Sequence, residues 1–124
     1  MTSRDEKIRM LASLVPVRAP VKEERHGGRV TLVYPKNFTR FERWLHRYIG
    51  GPTEIRRPLD EMATTVWDLC DGDHTVAEII EIMDMRYKEK IEPAGTRVTM
   101  FLENLLRTGL ITMRKEKTGK GDED

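Results

Sequence analysis

Three aspartates crowd into six residues, Asp68, Asp71 and Asp73, with His74 directly after them. Acids at that density can chelate a hard cation, but a calcium loop also needs a central glycine and a terminal bidentate acid, and neither stands in register here. The histidines His26, His46 and His74 have no neighbour at metal-ligand spacing, and Cys70 as the single cysteine leaves no zinc set to complete and no internal disulfide to form. Nucleophilic chemistry fares no better. Ser3 and Ser13 are the only serines and lie near the N-terminus outside any elbow motif. The doublets Gly27-Gly28 and Gly50-Gly51 stand beside turns, without the further glycine and lysine of a phosphate loop. Asp60-Glu61 marks a helix start, where acids cap. No catalytic residue, metal or cofactor is therefore expected, and what remains is the chemistry of binding.

Two surfaces qualify. Thr53 to Leu59 reads as a brief extended piece in which Pro58 has no amide to give a central strand, so an edge position is expected. An edge strand can pair its free backbone groups with an extended peptide, while Arg56-Arg57 keeps it from pairing promiscuously. The competing surface is a helix-turn-helix reading DNA. Against it, 22 bases nearly balance 21 acids, although charged residues make up 35% of the 124-residue chain. The candidate recognition helix offers Glu92, Thr96, Arg97, Met100, Glu103 and Arg107 outward, and only Arg97 near its start suits a phosphate or a guanine. The preceding helix exposes Glu78, Glu81 and Asp84. A winged-helix DNA-binding regulator stands as the alternative.

The elements that must position these residues follow from pattern. Residues 1–14 carry Ile8, Met10, Leu11 and Leu14 at roughly helical spacing and form a partly ordered N-terminal segment before Pro16 and Pro20 force extension. His26-Gly27-Gly28 supplies the tight turn of a hairpin whose return strand, Arg29 to Tyr34, is β-branched and aromatic. Phe38 to Ile49 predicts a helix with Phe41, Trp44, Leu45, Tyr48 and Ile49 along one side. Then comes a trihelical unit. Asp60 caps the first helix, which buries Met62, Ala63, Val66, Leu69 and Cys70, with Trp67 at the edge of that face, and Asp71-Gly72 stops it. Thr75 and Glu78 form a capping box for the second, with Val76, Ile79, Ile80, Met83 and Tyr87 inward. Pro93 opens the third, whose stripe is Val98, Phe101, Leu102, Leu105 and Leu106 up to Gly109. Ile111 and Met113 make a short wing. Residues 15–113 are thus one α+β domain, winged helix-turn-helix-like, with a three-stranded antiparallel sheet, a three-helix unit and an extra inserted helix. Residues 114–124 hold no apolar side chain and form a disordered charged tail. No membrane span and no signal sequence is found, and the cytoplasm is the expected compartment.

Leu59-Asp60-Glu61, Val66-Trp67, Leu69-Cys70-Asp71-Gly72, Thr75-Val76-Ala77-Glu78-Ile79, Tyr87, Phe101-Leu102, Leu105 and Gly109-Leu110-Ile111 together resemble the PqqD family, peptide chaperones of pyrroloquinoline quinone biosynthesis and related pathways. The resemblance covers about residues 15–113 and is strongest from 59 to 111. It implies a RiPP recognition element, a non-enzymatic adaptor that binds the leader of a ribosomally made precursor by strand addition. The adaptor then presents it to a modifying enzyme, often a radical S-adenosylmethionine enzyme. Carried over by position, it implies a peptide site of Ile55, Arg56 and Arg57 on the strand and Arg97, Phe101 and Asn104 on the third helix. The chain departs from the compact family pattern by inserting Lys36 to Pro52 between the second and third strands. An amphipathic helix there would shield the sheet or enlarge the peptide site.

Overall fold

In the computed structural model, residues 3–36, 40–51 and 53–117 are described. In chain order these form α1 (Arg4–Leu11), β1 (Val15–Arg18), β2 (Lys22–His26), β3 (Arg29–Pro35), α2 (Arg40–Ile49), β4 (Glu54–Pro58), α3 (Glu61–Leu69), α4 (Val76–Tyr87), a 3-10 turn (Lys88–Ile91), α5 (Ala94–Arg107) and β5 (Ile111–Arg114). Among the described residues there are thus five α-helices, with a three-stranded antiparallel sheet ordered β2-β3-β4 and a two-stranded ribbon β1-β5.

The hairpin forms where the glycines require it. Gly27 and Gly28 take φ of +59° and +80°, the pair of positive values that a two-residue turn needs to match the strand twist. Strand β3 lies centrally because its alternation supplies a core face. Val30 and Leu32 are buried, and Leu32 is opposite Glu23 on one side and Arg57 on the other. One bond extends the β3-β4 ladder and a second roots the sheet on α3. The Leu59 amide donates to the Val30 carbonyl at 2.8 Å, and the Val30 amide donates to the buried Thr64 hydroxyl at 3.1 Å.

The trihelical unit forms as its caps predict. The Asp60 carboxylate accepts from the Ala63 amide at 2.8 Å, and Thr75 and Glu78 satisfy each other's backbone amides at 2.8 and 3.1 Å. Val66, Trp67, Val76, Ile79, Met83, Val98, Leu102 and Leu105 fill the core against Leu32. Trp67, expected at the margin of its helix's apolar face, is fully buried. Leu106 departs from the expected stripe and is 41% exposed. Thr99 takes a buried place instead, its hydroxyl satisfied by the Gly95 carbonyl at 2.7 Å. Thr99 and Leu106 lie within about 20° of each other around the helix, and Arg4 of α1 contacts the Thr99 hydroxyl.

The N-terminal segment is built into the fold. Ser3 and Glu6 form a second capping box, and α1 lies along α5 with Arg4 paired to Glu103 at 3.0 Å. An added Cβ on Gly95 would meet Ile8 Cδ1 at 3.1 Å, so the two helices approach closely there. The closing strand β5 pairs with β1, from Val15 opposite Arg114 to Arg18 opposite Ile111. Strand β1 is also held from its other side, since the Gly72 amide donates to the Pro16 carbonyl and the Arg18 amide to the Cys70 carbonyl. Gly72, with φ of +83°, turns the chain beyond α3 into this contact. Of the charged tail, Arg114 belongs to β5 and Lys117 lies 3.1 Å from Glu78, while residues 118–124 are outside the described ones.

The inserted segment does form a helix, α2, and the described residues of its apolar side are largely exposed. Trp44, Leu45, Tyr48 and Ile49 are 53%, 37%, 73% and 72% exposed. Phe38, and the side chain of Phe41, lie outside the described residues.

Candidate peptide-binding groove

Which backbone groups of β4 are free follows from its register. Thr31 pairs with Pro58 and Tyr34 with Ile55, and the hydrogen bonds from Leu59 to Val30 and from Lys36 to Thr53 fix the phase of the ladder. Antiparallel pairs alternate between bonded and non-bonded positions. Arg57 and Ile55 therefore spend their amides and carbonyls on Leu32 and Tyr34. Glu54 and Arg56 direct theirs outward, and Pro58 contributes a carbonyl alone. Among the described residues no strand pairs with that outer edge.

Side chains alternate with the same period. Ile55 and Arg57 share the face of Leu32 and Tyr34 and are partly buried, whereas Arg56 projects from the opposite face. There Arg56 is hydrogen-bonded to Glu24 of β2, and that bond holds the Glu24 carboxyl below its ordinary range. Arg57 reaches α5 instead. Its guanidinium donates to the Asn104 side-chain oxygen and lies 5.9 Å from the centre of the Phe101 ring. Arg57 thus bridges β4 and α5, the candidate ridge and wall of a groove.

Helix α5 presents three distinct faces. Val98, Leu102 and Leu105 point to the core. Gly95, Thr99 and Glu103 meet α1, Thr99 and Glu103 through Arg4. Arg97, Phe101 and Asn104 fall within about 60° of one another on the remaining side, by the helical repeat. Arg97 is committed locally, since its guanidinium donates to the Lys90 carbonyl at 2.7 Å. Phe101 also lines a cavity of about 160 Å³, together with Met62, Ala63, Val66, Met83, Ile91 and Val98, with the exposed Asp60 and Arg97 at its polar margin. Its apolar lining suits one aliphatic or aromatic side chain.

The six residues indicated by the sequence therefore divide. Arg57, Phe101 and Asn104 are brought into mutual contact. Ile55 shares the face of Arg57, Arg97 lines the adjoining cavity, and Arg56 turns away to Glu24. The cavity itself was not legible in the sequence. Met62, Ala63 and Val66 read only as core positions, and Ile91 carried no signal of its own.

The remaining candidates have structural partners. His74 Nδ1 is 3.0 Å from the Asp71 carboxylate. Burial raises the Asp71 pKa, but hydrogen bonds from His74 and from the Asp73 amide outweigh it and leave the carboxyl below its ordinary value. Among the described residues no cluster of His, Cys, Asp or Glu is arranged to hold a metal ion. Cys70 is buried, and that burial pushes its thiol up to about 12, so it is neutral and unreactive at physiological pH. No described helix is long and apolar enough to cross a membrane.

Comparison with known proteins gives a consistent family. Residues 57–111 match the profile of coenzyme PQQ synthesis protein D (PqqD). A "PqqA binding protein" of Rhodopseudomonas palustris strain HaA2 is 32% identical over 77 residues, covering 62% of this chain and 72% of the relative. Its counterpart in strain TIE-1 is 34% identical over the same shares, and one from Bradyrhizobium diazoefficiens is 31% identical over 70 residues, 56% of this chain and 67% of the relative. No solved structure matches the chain significantly.

Proposed function

Because the chain belongs to the PqqD family, we propose that it is a peptide-binding adaptor without catalytic activity of its own, which takes the leader of a ribosomally synthesised precursor onto the β4 edge. The observation that carries this is the coincidence of the outward backbone groups of Glu54 and Arg56 with a helix wall and an apolar cavity at Phe101. Relatives named for binding PqqA support a precursor peptide as the partner. The trihelical unit α3 to α5, closed by β5, is interpreted as a winged-helix arrangement whose wing strand is completed by β1. The captured leader is held for a modifying enzyme, of the radical S-adenosylmethionine class or another, in the cytoplasm where the precursor is made.

Energetics favour such a composite site. Four backbone hydrogen bonds at about 0.5–1.5 kcal/mol each are largely offset by the 2–5 kcal/mol, roughly, that ordering a flexible segment costs. An apolar side chain seated in the cavity adds about 1.5–3 kcal/mol and decides whether the complex forms. Reading of DNA by α5 is disfavoured, because among its outward residues Glu103 is an acid engaged by Arg4 and the base nearest its start, Arg97, is tied to Lys90.

The test is a titration followed by backbone amide shifts, using the leader half of a precursor peptide encoded beside this chain and, separately, duplex DNA. Shifts confined to 54–58 and 97–104 with peptide, and none with DNA at moderate salt, are expected. The opposite pattern would replace the adaptor with a DNA-binding regulator.

A further inference from the structure

Among the described residues, most arginines with a side-chain partner face a carboxylate, and Arg86, over the Tyr87 ring, is exposed. Arg4 pairs with Glu103, Arg18 with Asp68, Arg25 with Glu23 and Asp68, and Arg56 with Glu24. Arg57 is different. It is partly buried, its two partners are the neutral Asn104 amide oxygen and the Phe101 ring, and among the described residues no carboxylate is paired with it. A guanidinium offers five N–H donors in a planar fork, and Asn104 takes one. A cation that has given up part of its hydration, with donors left over and no counter-charge, is a site prepared for an anion.

Its place in the groove says what the anion belongs to. An extended segment bonded to the outward groups of Glu54 and Arg56 sets every second side chain on the face of Ile55 and Arg57. A residue across from Arg57 on that face has its Cβ about 4.5–5.5 Å away, within reach of a carboxylate to the guanidinium. The Phe101 ring that Arg57 overlies is also a wall of the apolar cavity, which Arg57 itself does not line. Same-face residues of a strand are roughly 6.6 Å apart, comparable with the 5.9 Å from the Arg57 guanidinium to the centre of the Phe101 ring that walls the cavity. Resting on the peptide-binding function proposed above, we infer that Arg57 selects peptides bearing an aspartate or glutamate two residues from the large apolar side chain that fills the cavity. Asn104 acts as a positioning residue that holds the guanidinium over Phe101.

Selection of random twelve-residue peptides displayed against the full chain tests this, with the recovered sequences then synthesised and mapped by amide shifts. Peptides that move residues 54–58 and 97–104 should be enriched in an acid and a large apolar residue with one residue between them. Changing that acid to its amide should weaken binding about tenfold, the scale of one charge-assisted hydrogen bond. Arg57→Gln should bind acid and amide peptides alike, and Arg57→Lys should regain part of the preference. If peptides map to the groove with no acid preference, or if the preference survives undiminished in Arg57→Gln, the role of Arg57 is overturned while peptide binding stands. If no recovered peptide moves those amides, both are overturned. Should Arg57→Gln fail to fold, the acid-to-amide comparison on the unaltered chain and Arg57→Lys still decide the matter.

Discussion

Among the described residues both outer edges of the three-stranded sheet are unpaired, and they are unlike. Along β2 every residue is titratable, Lys22, Glu23, Glu24, Arg25 and His26, and the charges are largely paired with one another or across to Asp68 and Arg56. That edge is closed to pairing by charge, as exposed edges commonly are. The β4 edge has an equally free ladder, but beside it stands α5, with Phe101, Asn104 and an apolar cavity within reach of the same face. If β4 takes a peptide as proposed, unpaired backbone alone does not make a docking site. A wall that gives alternate side chains somewhere to go does.

The largest effect should come from removing what the two edges share. Thr64→Val deprives the buried Val30 amide of its acceptor at the root of β3, and about 1–3 kcal/mol of stability should be lost, read from the midpoint of urea unfolding. An unchanged midpoint would mean that α3 does not anchor the sheet.

Next, proline separates the edges. Arg56→Pro removes an amide that points outward, so the ladder to β3 survives while peptide binding should fall about tenfold or more. On β2, the two-residue turn makes His26 and Arg29 a bonded pair and leaves the Glu23 amide outward. Glu23→Pro should therefore leave peptide affinity unaltered when both variants are titrated with peptide by calorimetry. Equal losses in both variants would erase the distinction between the edges.

A smaller difference is expected from the charges that close β2. Arg25→Ala breaks the pair to Asp68, which at 2.6 Å is short but half-exposed, and should cost less than about 1 kcal/mol without changing peptide affinity.

The smallest effect is that of pH on the contact between the two edges. The Glu24 carboxyl is held below its ordinary value of 4.5 by its hydrogen bond from Arg56. Because the folded value is the depressed one, the contribution is present above the unfolded value and is lost as pH falls through the folded value. Carboxyl carbon shifts of Glu24 should report a midpoint below 4.5, returning toward 4.5 in Arg56→Gln, with peptide affinity near neutral pH unaffected by Glu24→Gln.

Local signals in the sequence determined the elements themselves. Asp60, the Thr75 and Glu78 box, Gly27-Gly28 and the alternation from Val30 to Tyr34 act over a few residues, and each produced the cap, turn or strand that its chemistry requires. Ser3 and Glu6 carried the same kind of signal at α1, legible in principle from their spacing. The edge character of β4 was also legible, because Pro58 lacks the amide of a central strand. Only the tertiary structure decided which side of β4 meets α5. Arg56 and Arg57 are identical in type and adjacent in sequence, yet one is paired with Glu24 and the other lies over Phe101. The alternation of a strand sets them on opposite faces, but which face is inward depends on register with β3, fixed by bonds such as that from Leu59 to Val30. The cavity that Phe101 lines is of the same kind. Its walls come from α3, α4, the 3-10 turn and α5, and a void between elements exists only once their packing is complete.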